Sequence, residues 1–156
     1  MLLFGVLIAC NNQNYDTMKQ ESTTALFPEG NKLSADWFTG EAFLFPLITQ
    51  DKNNEFSAGS VTFKIGARTN WHTHPKGQVL IVTEGTGFYQ EKGKQAQIIK
   101  RGDVVNISEN VVHWHGASAT TAMTHIAITN FLQDVQVTWL QRVTDEEFNH
   151  VNNNLK

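Results

Sequence analysis

The chain has one cysteine, three prolines and only a modest share of charged residues. A single thiol, Cys10, cannot close an internal disulfide, so stability has to come from a packed core, which 156 residues can supply as a single domain. No apolar run approaches the ~20 residues that span a bilayer. Positive charge is also scarce. Twelve Lys and Arg stand against fifteen Asp and Glu, for a net charge of −3. No basic stripe alternates with aromatics, and nucleic acid is therefore not an expected partner. Glycine is frequent and the hydrophobic runs are short, a pattern that favours an all-β chain with glycine turns.

Residues 1–9 read MLLFGVLIA, apolar and uncharged, and Leu7-Ile8-Ala9-Cys10 resembles the lipobox of bacterial lipoproteins. That resemblance implies a lipid on Cys10 and a periplasmic or cell-envelope location, with the cytoplasm the alternative if the segment is not a signal. Residues 11–21 are polar and offer a core almost nothing. The expected organisation is a signal segment over 1–9, a polar tether over 10–33, a folded domain over 34–148 and a polar tail over 149–156. The only membrane contact expected is through the lipid.

From Asp36 onward the pattern becomes strand-like. Residues 42–45 are apolar and stop at Pro46, and residues 60–65 alternate and end at Gly66. Residues 78–83 (QVLIVT) are apolar at nearly every position, so both faces of that strand are expected to be buried, the outer one in a homodimer. Lys92-Gly93-Lys94 reads as a hairpin turn between residues 88–91 and 97–99. Strands are also expected over 104–107, 121–129 and 135–143. Thr144-Asp145-Glu146-Glu147 has the capping-box pattern that opens a helix. Many short strands with glycine turns imply a sandwich or barrel.

Five of the six histidines lie between residues 72 and 125, as His72-Thr73-His74, His113-Trp114-His115 and His125. Residues i and i+2 of a strand share a face, so each H-x-H pair projects two imidazoles into one space. Neutral imidazole nitrogen suits Mn, Fe, Ni, Cu and Zn. Trp71 and Trp114 fall on the opposite faces, as outer packing or dimer contacts. Arg68 could face the site or make an exterior ion pair. His150 belongs to the solvated tail.

The spacing adds a second argument. Five residues separate Gly66 from His72, three separate His74 from Gln78, and six separate Gln78 from Gly85; ten separate Gly102 from His113. This resembles the two motifs of the cupins. Gln78 stands where the first motif has glutamate. In the second, Ser108, Asn110 and Ala117 replace proline, glycine and asparagine. The resemblance implies a small jelly-roll β-barrel with a short C-terminal helix, and a metal held by His72, His74, Gln78 and His113. Asp36-Trp37-Phe38-Thr39-Gly40, Trp71-His72-Thr73-His74-Pro75, His113-Trp114-His115-Gly116-Ala117 and Thr121-Ala122-Met123-Thr124-His125 narrow it further. They are similar to the small bacterial cupins that include manganese-dependent hydroxynitrile lyases of the mandelonitrile lyase type, over residues 34–148.

With Gln in place of Glu no ligand is anionic, so the cation keeps its full charge and should favour anions and acidify bound hydroxyls. Manganese is the preferred divalent metal, with iron, zinc, nickel and copper compatible. His125 shares a face with Met123 and Ala127; apolar surroundings keep it neutral and able to take a proton. His115 reads either as a residue orienting a ligand or as the acid/base. The expected function is a metal-dependent lyase that cleaves or forms a C–C bond of a small cyanohydrin-like or hydroxy/carbonyl substrate. The alternatives are an iron-dependent dioxygenase and a non-catalytic periplasmic cupin that binds a small ligand.

Overall fold

A computed structural model describes residues 25–155; the segment read as a signal, Cys10 and most of the expected tether lie outside the described residues. The fold is all-β with one helix. In chain order the strands are β1 (Asn31–Lys32), β2 (Phe38–Thr39), β3 (Ala42–Ile48), β4 (Phe56–Phe63), β5 (Arg68–Thr69), β6 (His72–Thr73), β7 (Gln78–Glu91), β8 (Gln97–Lys100), β9 (Val104–Ile107), β10 (His113–Ala117), β11 (Met123–Asn130) and β12 (Thr138–Trp139). The helix α1 is Asp145–Asn154. All paired strands are antiparallel, along the path β1-β3-β4-β11-β7-β10-β5-β2.

Strand β7 curls the sheet. Its first half pairs with β11 and β9, and its second half pairs with β10 and β8. The change of partner falls at Gly85, which has a φ of 73°. A Cβ there would sit 1.9 Å from the Ala122 carbonyl oxygen, so only glycine allows both the turn and the close approach. The strand alternates in burial. Gln78, Leu80 and Val82 are buried inside the barrel, while Val79, Ile81 and Thr83 are half-buried on the outside. The expectation of two fully buried faces thus holds for the inner face and only partly for the outer one.

Period-two alternation sets what the barrel contains. Leu44, Val61, His125 and Val82 lie opposite one another across β3, β4, β11 and β7. The core around them includes Phe38, Phe63, Leu80, Ile107 and Met123. Each such side chain contributes roughly 1.5–3 kcal/mol through burial, and together they make the barrel wall stiff.

Trp71 and Trp114 are almost completely buried on the other face. They form a second cluster with Phe88, Val143, Phe148 and Val151. Helix α1 is therefore their cover, and outer packing is the correct one of the two roles expected for them. The helix begins at a complete capping box: the Thr144 side chain accepts from the Glu147 amide, and Glu147 accepts from the Thr144 amide. Such a cap contributes about 1 kcal/mol. Arg68 fixes the same helix from the sheet. It donates to the Val143 carbonyl, pairs with Asp145 at 2.5 Å and lies over the Phe148 ring, so its role is the exterior one. The helix runs on to Asn154, and Val151 within it is buried. His150 is exposed.

The strand expected over 135–143 is largely absent. Only Thr138–Trp139 pair, with β6, because β6 offers just two residues of ladder. The segment before them is a strap closed by the Leu132–Val135 bridge, with Gln133 at a φ of 57°. It lines the barrel cavity through Gln136, Val137 and Trp139. Among the described residues no helix is long and apolar enough to cross a membrane.

Candidate metal centre

The two H-x-H pairs meet because β6 and β10 are antiparallel neighbours in a register that puts His72 opposite His113. His74 follows two residues later on the same face. The ring centroids of His72 and His113 are 4.2 Å apart, those of His72 and His74 5.0 Å, and those of His74 and His113 5.5 Å. One nitrogen of each ring lies within 4.8 Å of the others, close enough for one ion to bind all three.

The other nitrogens determine the tautomer. Nδ1 of His72 lies 2.9 Å from the Asn70 carbonyl oxygen, that of His74 2.5 Å from the Gln136 oxygen and that of His113 2.9 Å from the Val111 oxygen. A carbonyl only accepts, so each Nδ1 carries the proton and each Nε2 keeps its lone pair. Backbone acceptors of this kind are what orient metal-binding histidines. The Nε2 atoms of His74 and His113 are buried with no hydrogen-bond partner.

Gln78 enters from the first position of β7. Its Nε2 donates to the Thr129 hydroxyl at 2.9 Å, which fixes the amide orientation. The carbonyl Oε1 is then buried without a partner. An orphaned buried acceptor is costly, and there are three of them here: His74 Nε2 and Gln78 Oε1 on residues that line one cavity, and Nε2 of His113, which groups with His72 and His74. The donor set fits a divalent cation.

The turn before β10 shows how the degenerate second motif still works. Asn110, where cupins have glycine, adopts a φ of 60°. Asparagine is among the few side chains that tolerate this region. Its amide donates to the His74 carbonyl at 2.8 Å, tying the β9–β10 turn to the loop that carries a histidine of the cluster.

His115 and His125 sit deeper. His115 projects from β10 on the same side as His113, and His125 from the middle of β11. His125 Nε2 and His115 Nδ1 are 3.3 Å apart, and Phe63 packs against both rings. The His115 amide donates to Thr69 Oγ1. His125 Nδ1 is buried without a partner.

All five histidines are held neutral. Burial lowers the pKa of each, to about 4 for His113 and His125 and well below the usual value for His72 and His115. For His72, charge on His113 and His74 would add to that effect, and for His115, charge on His125 and His72. His74 is lowered for the same reason, offset in part by its bond to the Gln136 carbonyl. Neutral rings are both metal ligands and proton acceptors.

His72, His74, Gln78, His115 and His125 line a cavity of about 320 Å³, whose remaining wall is mostly apolar: Trp37, Phe38, Phe63, Val61 and Trp139; His113 packs behind it against the His72 and His74 rings. Trp37 stacks on Trp139, and Trp139 lies 4.9 Å from the His72 ring. The structure therefore brings together all six residues singled out from the sequence. Thr129 and Gln136 escaped that reading. Thr129 could have been found, since it extends the inward row 123, 125, 127. Gln136 acts on His74 through its backbone, which carries no side-chain signal.

Comparison with known proteins agrees with this geometry. Residues 59–129 match the family described as Cupin domain. The chain is 50% identical over 114 residues to an (R)-mandelonitrile lyase of Granulicella tundricola, covering 73% of this chain and 87% of that one. Among solved structures, a cupin-like protein of Thermotoga maritima is 47% identical with a TM-score of 0.78, over 82% of this chain and 97% of its own. A predicted oxalate decarboxylase of the same organism shares the fold at 20% identity and a TM-score of 0.60, over 65% of this chain and 91% of its own. A barrel of this topology, with histidines at these offsets pointing into it and a relative half identical over most of its length, is a small single-domain member of the cupin family.

Proposed function

We propose that the protein is a metal-dependent lyase that breaks, and in reverse forms, the C–C bond of a small cyanohydrin-like substrate. The observation that carries this reading is the buried histidine centre in a chain half identical to a mandelonitrile lyase. His72, His74, His113 and the Gln78 carbonyl would hold the ion, and manganese suits this nitrogen and oxygen set. When bound, a divalent cation supplies Lewis acidity toward a substrate oxygen.

The protein's own groups do the rest. His115 and His125 together are the base, with His115 facing the substrate and His125 the final proton acceptor. His115 Nδ1 is engaged with His125, which leaves its Nε2 for the substrate in the cavity that both rings line. The hydroxyl proton passes to His115 Nε2, and the Nδ1 proton of that ring passes to His125 Nε2. The O–H electron pair becomes the second bond of the new carbonyl as the bond to the nitrile carbon breaks. That bond's pair leaves with cyanide, which recovers the proton from the histidine pair. The products are an aldehyde or ketone and hydrogen cyanide. Apolar walls keep the pair neutral at the start and exclude water that would compete for the proton.

The deciding experiment is metal analysis of protein purified without a histidine tag, followed by cleavage of racemic mandelonitrile after loading with Mn²⁺. The expected result is one ion per chain and release of benzaldehyde and cyanide at equal rates with or without oxygen. Strict dependence on oxygen and on Fe²⁺ would point to a dioxygenase instead. Saturable ligand binding with no turnover would point to a binding protein.

A further inference from the structure

A second cavity of about 420 Å³ adjoins the histidine cavity, among Pro46, Ile48, Gly59 and Phe131. Leu44, Ala127, Thr129 and Gln136 line both cavities, so these four side chains stand between them, at the neck through which a ligand would pass. The two sides of the neck differ. On one side Gln136 is fixed twice, by the His74 ring on its carbonyl and by the Ser57 hydroxyl on Oε1 at 3.1 Å. Thr129 is fixed by Gln78. On the other side the wall gives way. Ala127 is small, and Leu44 lies over Gly59, where a Cβ would come 2.4 Å from the Leu44 Cδ1 atom. A leucine tip resting on bare backbone can swing without moving the sheet. The chamber beyond is mostly apolar, with no charged side chain among the residues that line it.

We infer that the outer chamber is the second half of the substrate site, and that it takes an apolar arm of a molecule whose oxygen-bearing head lies at the histidines. The natural substrate would then be a 2-hydroxy nitrile, or its parent carbonyl compound, with an alkyl or arylalkyl chain long enough to pass Leu44. This rests on the reading of the histidine pocket as a metal-held head site.

The test measures binding, so it does not depend on turnover. The full chain, loaded with Mn²⁺, is titrated with 2-hydroxy acids from glycolate to 2-hydroxydecanoate. Affinity should rise about fourfold per methylene, the usual gain for burying a CH₂ group. Two variants check where the arm lies. Ile48→Trp fills the far end of the chamber. Gly59→Ala pushes Leu44 into the neck by an independent route. Each should lower the ratio of long-acid to short-acid affinity tenfold or more. If short acids bind and affinity does not depend on length, or if both variants leave the ratio within twofold, the chamber is not part of the site. If affinity rises with length but His113→Ala leaves it intact, the head reading fails while the chamber stands. If no acid binds, both are wrong.

Discussion

Two groups of histidines occupy one barrel, and they differ in what holds their second nitrogen. His72, His74 and His113 each give Nδ1 to a backbone carbonyl and turn Nε2 toward a common point. His115 and His125 are bonded to each other. Burial and neutrality are common to all five. In the proposed mechanism, what separates a ligand from a proton carrier is the partner on the far side of the ring. A backbone acceptor cannot give a proton back, so it locks one tautomer and suits a lone pair that must stay in place. A second imidazole can both give and take, and suits a proton that must move.

Removing one member of each group should separate the two roles. His113→Ala takes away a ligand from the centre, and metal content should fall below a tenth of an equivalent, with turnover down more than ~10³-fold. His125→Ala should keep the full equivalent of metal and lose about 10²–10⁴-fold in turnover, the usual contribution of a general base. Elemental analysis and mandelonitrile cleavage on the same samples check both. If His125→Ala retains full turnover while His72→Ala abolishes it, the base has been misassigned.

Part of this grouping is legible in the sequence, which leaves His115 open between orienting a ligand and acting as the acid/base. The H-x-H spacing put two imidazoles on one strand face, and the resemblance of the glycine and histidine offsets to the cupin motifs implied that both pairs enter one barrel. The inward direction of His125 followed from its two-residue step from Met123 and Ala127. What could not be read were the contacts made by backbone. The Gln136 carbonyl on His74 depends on a strap that makes almost no ladder, and strap conformation is set by what lies under it rather than by local propensity. For the same reason residues 135–143 resembled a strand: their composition suits one, but β6 gives only two residues to pair with. The Asn110 turn kept the backbone of the motif while changing its letter. A motif read as letters loses such a match, and one read as conformations keeps it.

Removing the metal should make the two groups alike. In the folded apo-protein, burial holds His113 and His125 at about 4, against an unfolded value near 6.5. Between those values the unfolded chain binds more protons than the folded one, so stability is lost as pH falls from about 6.5 toward about 4. Each histidine should contribute up to about 1.4 kcal/mol per pH unit in that window. His113→Leu and His125→Leu, both as apo-protein, should flatten the slope of unfolding free energy against pH by the same amount. Denaturant titrations at pH 4.5, 5.5 and 6.5 measure it. A flattening from only one of them would mean that the two groups differ in more than their partners.

The smallest expected effect lies at Gln78, the neutral oxygen donor beside the first group. Three neutral imidazoles and a neutral amide leave a divalent ion its whole charge, whereas a carboxylate would cancel half of it. Gln78→Glu is close to isosteric, and the Thr129 hydroxyl that now accepts from the amide can donate to a carboxylate instead. The exchange therefore changes charge while keeping the hydrogen bond. Metal should be held about tenfold more tightly, by the added attraction between opposite charges. Cyanide should inhibit about tenfold less well, and turnover should fall by a similar factor, because a weaker Lewis acid stabilises the developing anion less. Chelator competition and cyanide titration give the two numbers independently. Tighter metal together with tighter cyanide would mean that Gln78 acts through geometry, and that the anion is received by the His115–His125 pair rather than by the charge of the centre.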